Sequence, residues 1–197
     1  MSDKYKISEE QDPYFVTFTI TNWIKVLADD SFKMIVVDSI KYCQQHKGLL
    51  VYAYCIMPNH VHMIVQSNVN NSMSEILRDL KTFASRAIAK KPGEEKSVVS
   101  TEMLTKFAEA GKPLKHIKKH KVWQDGNHAE LLYGNRFIQE KLKYIHRNPV
   151  KYGLCEEEWD YKFSSATNYT DIQSLKVCGS MHTRCKRARS EVSFRKN

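Results

Sequence analysis

Polar and apolar residues alternate along His60-Val61-His62-Met63-Ile64-Val65-Gln66, and a period of two is the mark of a strand with one face in the core. His60, His62, Ile64 and Gln66 fall on one face, and Val61, Met63 and Val65 on the other. Upstream, residues 14–20 are β-branched and aromatic behind Pro13, which predicts a first strand. Asp29, Asp30 and Ser31 offer N-capping oxygens to a helix in which Phe32, Ile35, Val36, Ile40 and Cys43 recur at helical spacing until Gly48. Residues 49–56 predict a second strand, and Met57-Pro58-Asn59 turns it into the histidine strand as a hairpin. Ser72-Met73-Ser74-Glu75 fits a capping box. The stripe Met73, Ile76, Leu77, Leu80, Phe83, Ala84, Ala87, Ile88 behind it predicts a long second helix.

The rest of the chain is less regular. Residues 91–95, with Pro92 and Gly93, predict a loop, and residues 103–108 a short helix. A fourth strand is expected within residues 122–132. Asn135 then caps a third helix running to about residue 148, where Pro149 ends it. The order strand, helix, strand, strand, helix, strand, helix matches in its first six elements the ferredoxin-like split βαβ arrangement. The expected fold is therefore α+β: an antiparallel sheet with helices on one face plus an added C-terminal helix. In that topology the first and third strands are central, so the histidines project from a braced strand. At 197 residues, one domain is expected over residues 1–170. Residues 171–197, rich in Arg and Lys and poor in large apolar residues, are expected to form a basic, disordered tail.

Composition narrows the partners. A net charge of +9 points to an anionic partner, of which nucleic acid is the commonest polyanion. Arg78, Lys81 and Arg86 lie opposite the apolar stripe of the second helix and are candidate phosphate contacts, a solvated helix face being the alternative. Lys112, Lys115, Lys118, Lys119 and Lys121 form a basic run that fits phosphate contact. Trp123 beside it is either a base-stacking or a core tryptophan. No apolar run approaches the roughly 18 residues of a membrane span, and the N-terminus lacks a signal peptide's apolar core, so a cytoplasmic location is expected. Five cysteines without a C-x-x-C pair predict reduced thiols.

Two constellations carry chemistry. His60 and His62, on adjacent same-face positions of a strand, can grip one divalent ion; two unliganded strand histidines are the alternative. On the third helix, at about 100° per residue, Ile138, Leu142 and Ile145 make an apolar stripe, while Phe137, Lys141, Tyr144 and Asn148 share a neighbouring face. Tyr144 can thus present its hydroxyl on the side to which Asn148 delivers an amide oxygen, although a tyrosine beside an apolar stripe far more often serves packing. No G-x-G-x-x-G or P-loop is present. A histidine-triad hydrolase would need a third histidine where Ile64 stands, and a two-histidine phosphodiesterase would need a second His-x-Thr or His-x-Ser, which His182-Thr183-Arg184 does not supply.

The phrases Ile56-Met57-Pro58-Asn59-His60-Val61-His62 and Tyr144-Ile145-His146-Arg147-Asn148-Pro149-Val150-Lys151-Tyr152-Gly153-Leu154 closely resemble the IS200-like single-tyrosine transposases of the HUH superfamily. Residues 123–130 and 164–169 look most like the branch associated with repetitive extragenic palindromes (REP). The resemblance covers about residues 14–170. It implies a DNA strand transferase that cuts and rejoins single-stranded, hairpin-containing DNA through a covalent 5′-phosphotyrosine, as a monomer or homodimer. On this resemblance His60 and His62 match metal ligands for magnesium or manganese, Tyr144 the nucleophile, and Asn148 the third ligand, where asparagine is a weaker donor than Gln, Glu or His. A divalent ion would offset charge on the phosphate oxygens and favour a phenolate. The rival expectation is a non-catalytic, basic nucleic-acid-binding module of the same fold.

Overall fold

The alternation around His60 does form a strand, but one covered on both faces: every residue of His60–Ser67 except Gln66 is buried. The computed structural model describes residue 7 and residues 12–68, 72–95, 98–112 and 120–169; the expected tail from residue 171 lies outside them. In chain order the elements are β1 (Tyr14–Thr19), α1 (Asp30–His46), β2 (Leu49–Ile56), β3 (His60–Ser67), α2 (Met73–Glu95), α3 (Val98–Gly111), β4 (Glu130–Leu131) and α4 (Asn135–Lys151). The sheet order is β2-β3-β1-β4 with every pairing antiparallel. This is the expected ferredoxin-like arrangement, with β1 and β3 central.

The two faces of the sheet have different tasks. On the first, Val16 and Phe18 of β1 and Val61, Met63 and Val65 of β3 pack against Val36, Val37 and Ile40 of α1 and Ile76, Leu77, Leu80 and Ala84 of α2. Each of the larger side chains there contributes about 1.5–3 kcal/mol by leaving water. On the second face Phe15, Ala53, Cys55 and Ile64 meet Ile145 of α4, with Phe137, Ile138 and Leu142 partly buried beside them. This helix converts the histidine face from a half-exposed surface into a second, smaller interior.

Several boundaries differ from expectation. α2 runs through residues 91–95 and α4 runs past Pro149 to Lys151. A proline removes one donor, but its fixed φ is compatible with a helix, so an established helix can continue through it. Gly134, at φ 80°, holds the N-cap position of α4 and Asn135 is the first helical residue; the left-handed turn there suits a glycine. The fourth strand shrinks to Glu130–Leu131, with Trp123 joined to Ile20 by an isolated bridge. The short helix expected at 103–108 is the middle of α3. Cys43, Cys55 and Cys155 are free thiols, and among the described residues no helix is long and apolar enough to cross a membrane.

Residues 163–169 close the outer edge of β2, which would otherwise present unpaired backbone groups. Ile56 N–H donates to Phe163 O at 2.9 Å, Ser165 N–H to Tyr54 O at 2.9 Å, and Tyr169 O–H to Tyr52 O at 2.7 Å. The fully buried Ser165 hydroxyl accepts from Tyr54 N–H at 2.9 Å and meets His146 Nε2 of α4 at 2.9 Å. One oxygen thus ties the edge strand, the closing segment and α4 together. Ser165→Ala would strand the Tyr54 N–H and the His146 ring nitrogen in the interior. The expected loss is about 2–3 kcal/mol in urea unfolding, and a change below about 0.5 kcal/mol would contradict this role.

Candidate active site on the second face of the sheet

β3 carries His60 and His62 onto the second face with ring centroids 4.6 Å apart, and both are buried. The neighbours of each ring fix what its outer nitrogen can do. Asn59 Nδ2 donates to Trp23 O at 3.4 Å, which orients the amide so that its Oδ1 faces His60 Nδ1 at 2.7 Å. An amide oxygen only accepts, so His60 carries its proton on Nδ1 and a lone pair on Nε2. His62 Nδ1 meets Thr17 Oγ1 at 2.8 Å, from the residue directly opposite it on β1. With the proton again on Nδ1, Thr17 accepts it and no buried N–H is stranded. His62 Nε2 is buried and has no hydrogen-bond partner.

Burial disfavours charge on both rings. It lowers the pKa of His60, opposed by the Asn148 side chain, and it takes His62 down to about 3, helped by the neighbouring His60 and Lys141. Both imidazoles are therefore neutral donors of electron pairs at physiological pH.

α4 supplies the opposite wall. Asn148 is buried at 3% exposure and its Oδ1 also lacks a hydrogen-bond partner. The unpartnered His62 Nε2, with the Asn148 side chain beside His60, makes a donor set that suits a divalent cation. Among the described residues no three His, Cys, Asp or Glu side chains gather around a metal position; the third donor here is an amide. Tyr144, one helical turn before Asn148, packs edge-on against His62 with ring centroids 5.2 Å apart and against Phe15 at 5.9 Å. At 45% exposure it can still be reached by a large substrate. The tyrosine and histidines are brought together within one chain.

Sequence reasoning missed Thr17 and Phe15 as parts of this cluster, and placed Lys141 on the Tyr144 face without giving it a partner. Phe15 stacks on His62 at 5.5 Å. The Lys141 ammonium sits over the Phe15 ring at 4.4 Å and is held by Glu130 at 2.7 Å, directly across from Phe15 on β4. The available signals were the polar Thr17 and Thr19 at alternate positions of an apolar strand and the shared helical face of Lys141 and Tyr144.

The expected DNA contacts are placed elsewhere. Arg78 and Arg86 are exposed on α2, which covers the opposite face of the sheet, and Arg78 is paired with Asp79 at 3.5 Å. Lys112 is exposed, Lys121 is paired with Asp125 at 2.7 Å, and Lys115, Lys118 and Lys119 lie outside the described residues. Two assignments are corrected. Trp123 is not a surface stacking platform: its indole is 5% exposed, edge-on to Phe18, with Nε1 donating to Lys81 O. Lys81 is not a free phosphate contact, because its ammonium donates to Gln124 O at 3.1 Å, Gly126 O at 2.9 Å and Asn127 Oδ1 at 3.3 Å. It ties the 124–127 loop to α2.

The fold and this cluster define a ferredoxin-like domain in which a central-strand histidine pair faces a helix-borne tyrosine. Residues 13–104 match the family model described as IS200-like transposase. The match includes His60 and His62 and stops before α4. Over 153 residues, 77% of this chain and 78% of the relative, the sequence is 26% identical to a protein of Haemophilus influenzae described as a REP-associated tyrosine transposase. The fold is similar to the solved structure of a REP-associated tyrosine transposase bound to a REP hairpin, with a TM-score of 0.64 at 17% identity, over 92% of this chain and 93% of that one.

The structural role of Lys81 has a pH signature. Burial lowers its pKa from 10.5 to about 8. The unfolded chain therefore holds this proton more tightly, and Lys81 costs stability below pH 8; the cost fades as pH rises from about 8 to 10.5. Relative to Lys81→Met, the wild type should gain up to roughly 3 kcal/mol across that window in urea unfolding. A pH-independent difference would show that the ammonium is not held in a desolvated site.

Proposed function

We propose that this chain cleaves and rejoins single-stranded DNA carrying a hairpin, with Tyr144 as the attacking group. The reading is carried by one observation: a half-exposed tyrosine lies 5.2 Å, ring to ring, from a histidine whose Nε2 is buried and unpartnered. His60 and His62 through Nε2, and Asn148 through Oδ1, would hold a divalent ion such as magnesium or manganese. When bound, that ion supplies positive charge against the non-bridging oxygens of the phosphate undergoing attack.

The chain's own residues do the rest. The Tyr144 hydroxyl, losing its proton, attacks phosphorus; the bond from phosphorus to the 3′ oxygen breaks, and that oxygen takes up a proton as a free 3′-hydroxyl. The 5′-phosphate stays on Tyr144 as a phosphodiester, which a 3′-hydroxyl can later attack in the reverse sense. The bond energy is conserved in that linkage, so rejoining needs no nucleotide cofactor. Thr17 and Asn59 hold the two imidazoles in the tautomer that offers Nε2. Lys141, held by Glu130, caps the Phe15 ring with its ammonium about one turn before Tyr144. The hairpin as substrate is suggested by the fold relative that was solved with a REP hairpin.

Incubation of the protein with a single-stranded hairpin oligonucleotide and manganese should give a denaturation-resistant protein–DNA adduct. Tyr144→Phe keeps the ring and its packing, so fold and DNA binding should persist while the adduct disappears. His60→Ala or His62→Ala should weaken manganese binding, read by titration, and slow cleavage by about a hundredfold or more. Cleavage by Tyr144→Phe that leaves free 5′-phosphates would make water the attacking group and the protein a hydrolytic nuclease. Binding without any cleavage by the wild type would make it a non-catalytic module of the same fold.

A further inference from the structure

Two large aromatic rings beside the histidine pair have no role in the chemistry above. Trp23 is 57% exposed and Tyr152 is 63% exposed, and both flank the same ring. Trp23 is edge-on to His60 at 6.4 Å and Tyr152 is edge-on to it at 6.1 Å. Tyr144 reaches the cluster from the His62 side. The site is thus bordered by exposed π-faces, an arrangement that burial alone would not select.

The backbone under Trp23 strengthens the point. Asn22 and Trp23 have φ of 54° and 56°. Asparagine tolerates the left-handed region, but for a bulky tryptophan it is an outlier that local structure must enforce. Enforcement is visible: Trp23 N–H donates to Ile20 O at 3.0 Å, Ile20 N–H to Asn59 O at 2.8 Å, and Asn59 Nδ2 to Trp23 O at 3.4 Å. The same Asn59 side chain orients His60. A strained turn that holds an apolar ring in solvent, tied to the residue that sets the site's tautomer, has its explanation in a ligand.

We propose that Trp23 and Tyr152 form a stacking clamp for the unpaired bases that flank the phosphate presented to Tyr144. The inference rests on the reading that single-stranded DNA is the substrate. Every base offers a π-face, and aromatic stacking is the sequence-tolerant way to hold an unpaired strand, while a chain of net charge +9 attracts its backbone. The clamp would select single strands over duplex, whose bases are already stacked on one another. It also fixes the sugar-phosphate between two rings, which positions phosphorus for in-line attack.

The test uses the full chain as Tyr144→Phe, so that binding is read without cleavage, with a fluorescent oligothymidine and an abasic strand of equal length as probes. Trp23→Ala and Tyr152→Ala should each weaken oligothymidine binding by roughly 5- to 150-fold and leave abasic-strand affinity within about twofold. Trp23→Phe and Tyr152→Phe should retain most of the affinity. Trp23→Asn, which suits the left-handed backbone but has no ring, should behave as Trp23→Ala, separating loss of the ring from loss of the turn. Unchanged oligothymidine binding in the ring variants, or equal losses on both strands, would overturn the clamp. Adduct formation by the otherwise wild-type protein is scored alongside: an adduct with no effect of the rings removes the clamp and keeps the proposed reaction, whereas base-dependent binding without an adduct keeps the clamp and removes the reaction.

Discussion

The site depends on burying two imidazoles side by side without giving both of their outer nitrogens protein partners. An unpaired polar atom in the interior costs about 1–3 kcal/mol, and here His62 Nε2 and Asn148 Oδ1 are both in that state. The arrangement persists because the rest of the structure leaves the side chains no alternative. Thr17 and Asn59 hold the inner nitrogens, Phe15 stacks on one ring, and α4 lies over the cluster through Ile145. In a domain stabilised by a separate apolar core on the other face, that local cost can be borne.

The division of labour between faces follows from the period of the strand. Alternate residues of β3 enter two different interiors, so Val61, Met63 and Val65 bind α1 and α2 while His60 and His62 meet α4. A one-residue slip in register would exchange the two sets. Register is held by pairing on both sides of β3, against β1 and β2, and the edge of β2 is in turn closed by Ser165 and its neighbours. The accuracy of the site therefore comes from an antiparallel sheet whose far edge is fastened by the segment that follows α4.

Much of this was legible in the sequence, because it rests on local periodicity. The strand of His60, the stripe of α2 and the shared face of Tyr144 and Asn148 are set by spacings within a few residues. What the sequence hid is non-local. Thr17 meets His62 across 45 residues, and nothing near Thr17 announces that pairing. Lys81 reads as a surface group from its charge, and Trp123 as either a stacking or a core residue, yet the lysine is held by carbonyls of a distant loop and the indole fills the core between β1 and α2. Charge along a chain does not say which way a side chain points. The brevity of β4 and the continuation of helices through Pro92 and Pro149 were not legible either.

The central claim is that two buried neutral imidazoles offer Nε2 lone pairs to one cation. Nitrogen-15 NMR of the histidine side chains at neutral pH reads it directly. The account predicts the Nδ1-protonated tautomer for both His60 and His62, and saturable paramagnetic broadening of these two rings, ahead of the other histidines, as manganese is added. A proton on Nε2 of either ring in the metal-free protein, or broadening that spares them, would contradict it.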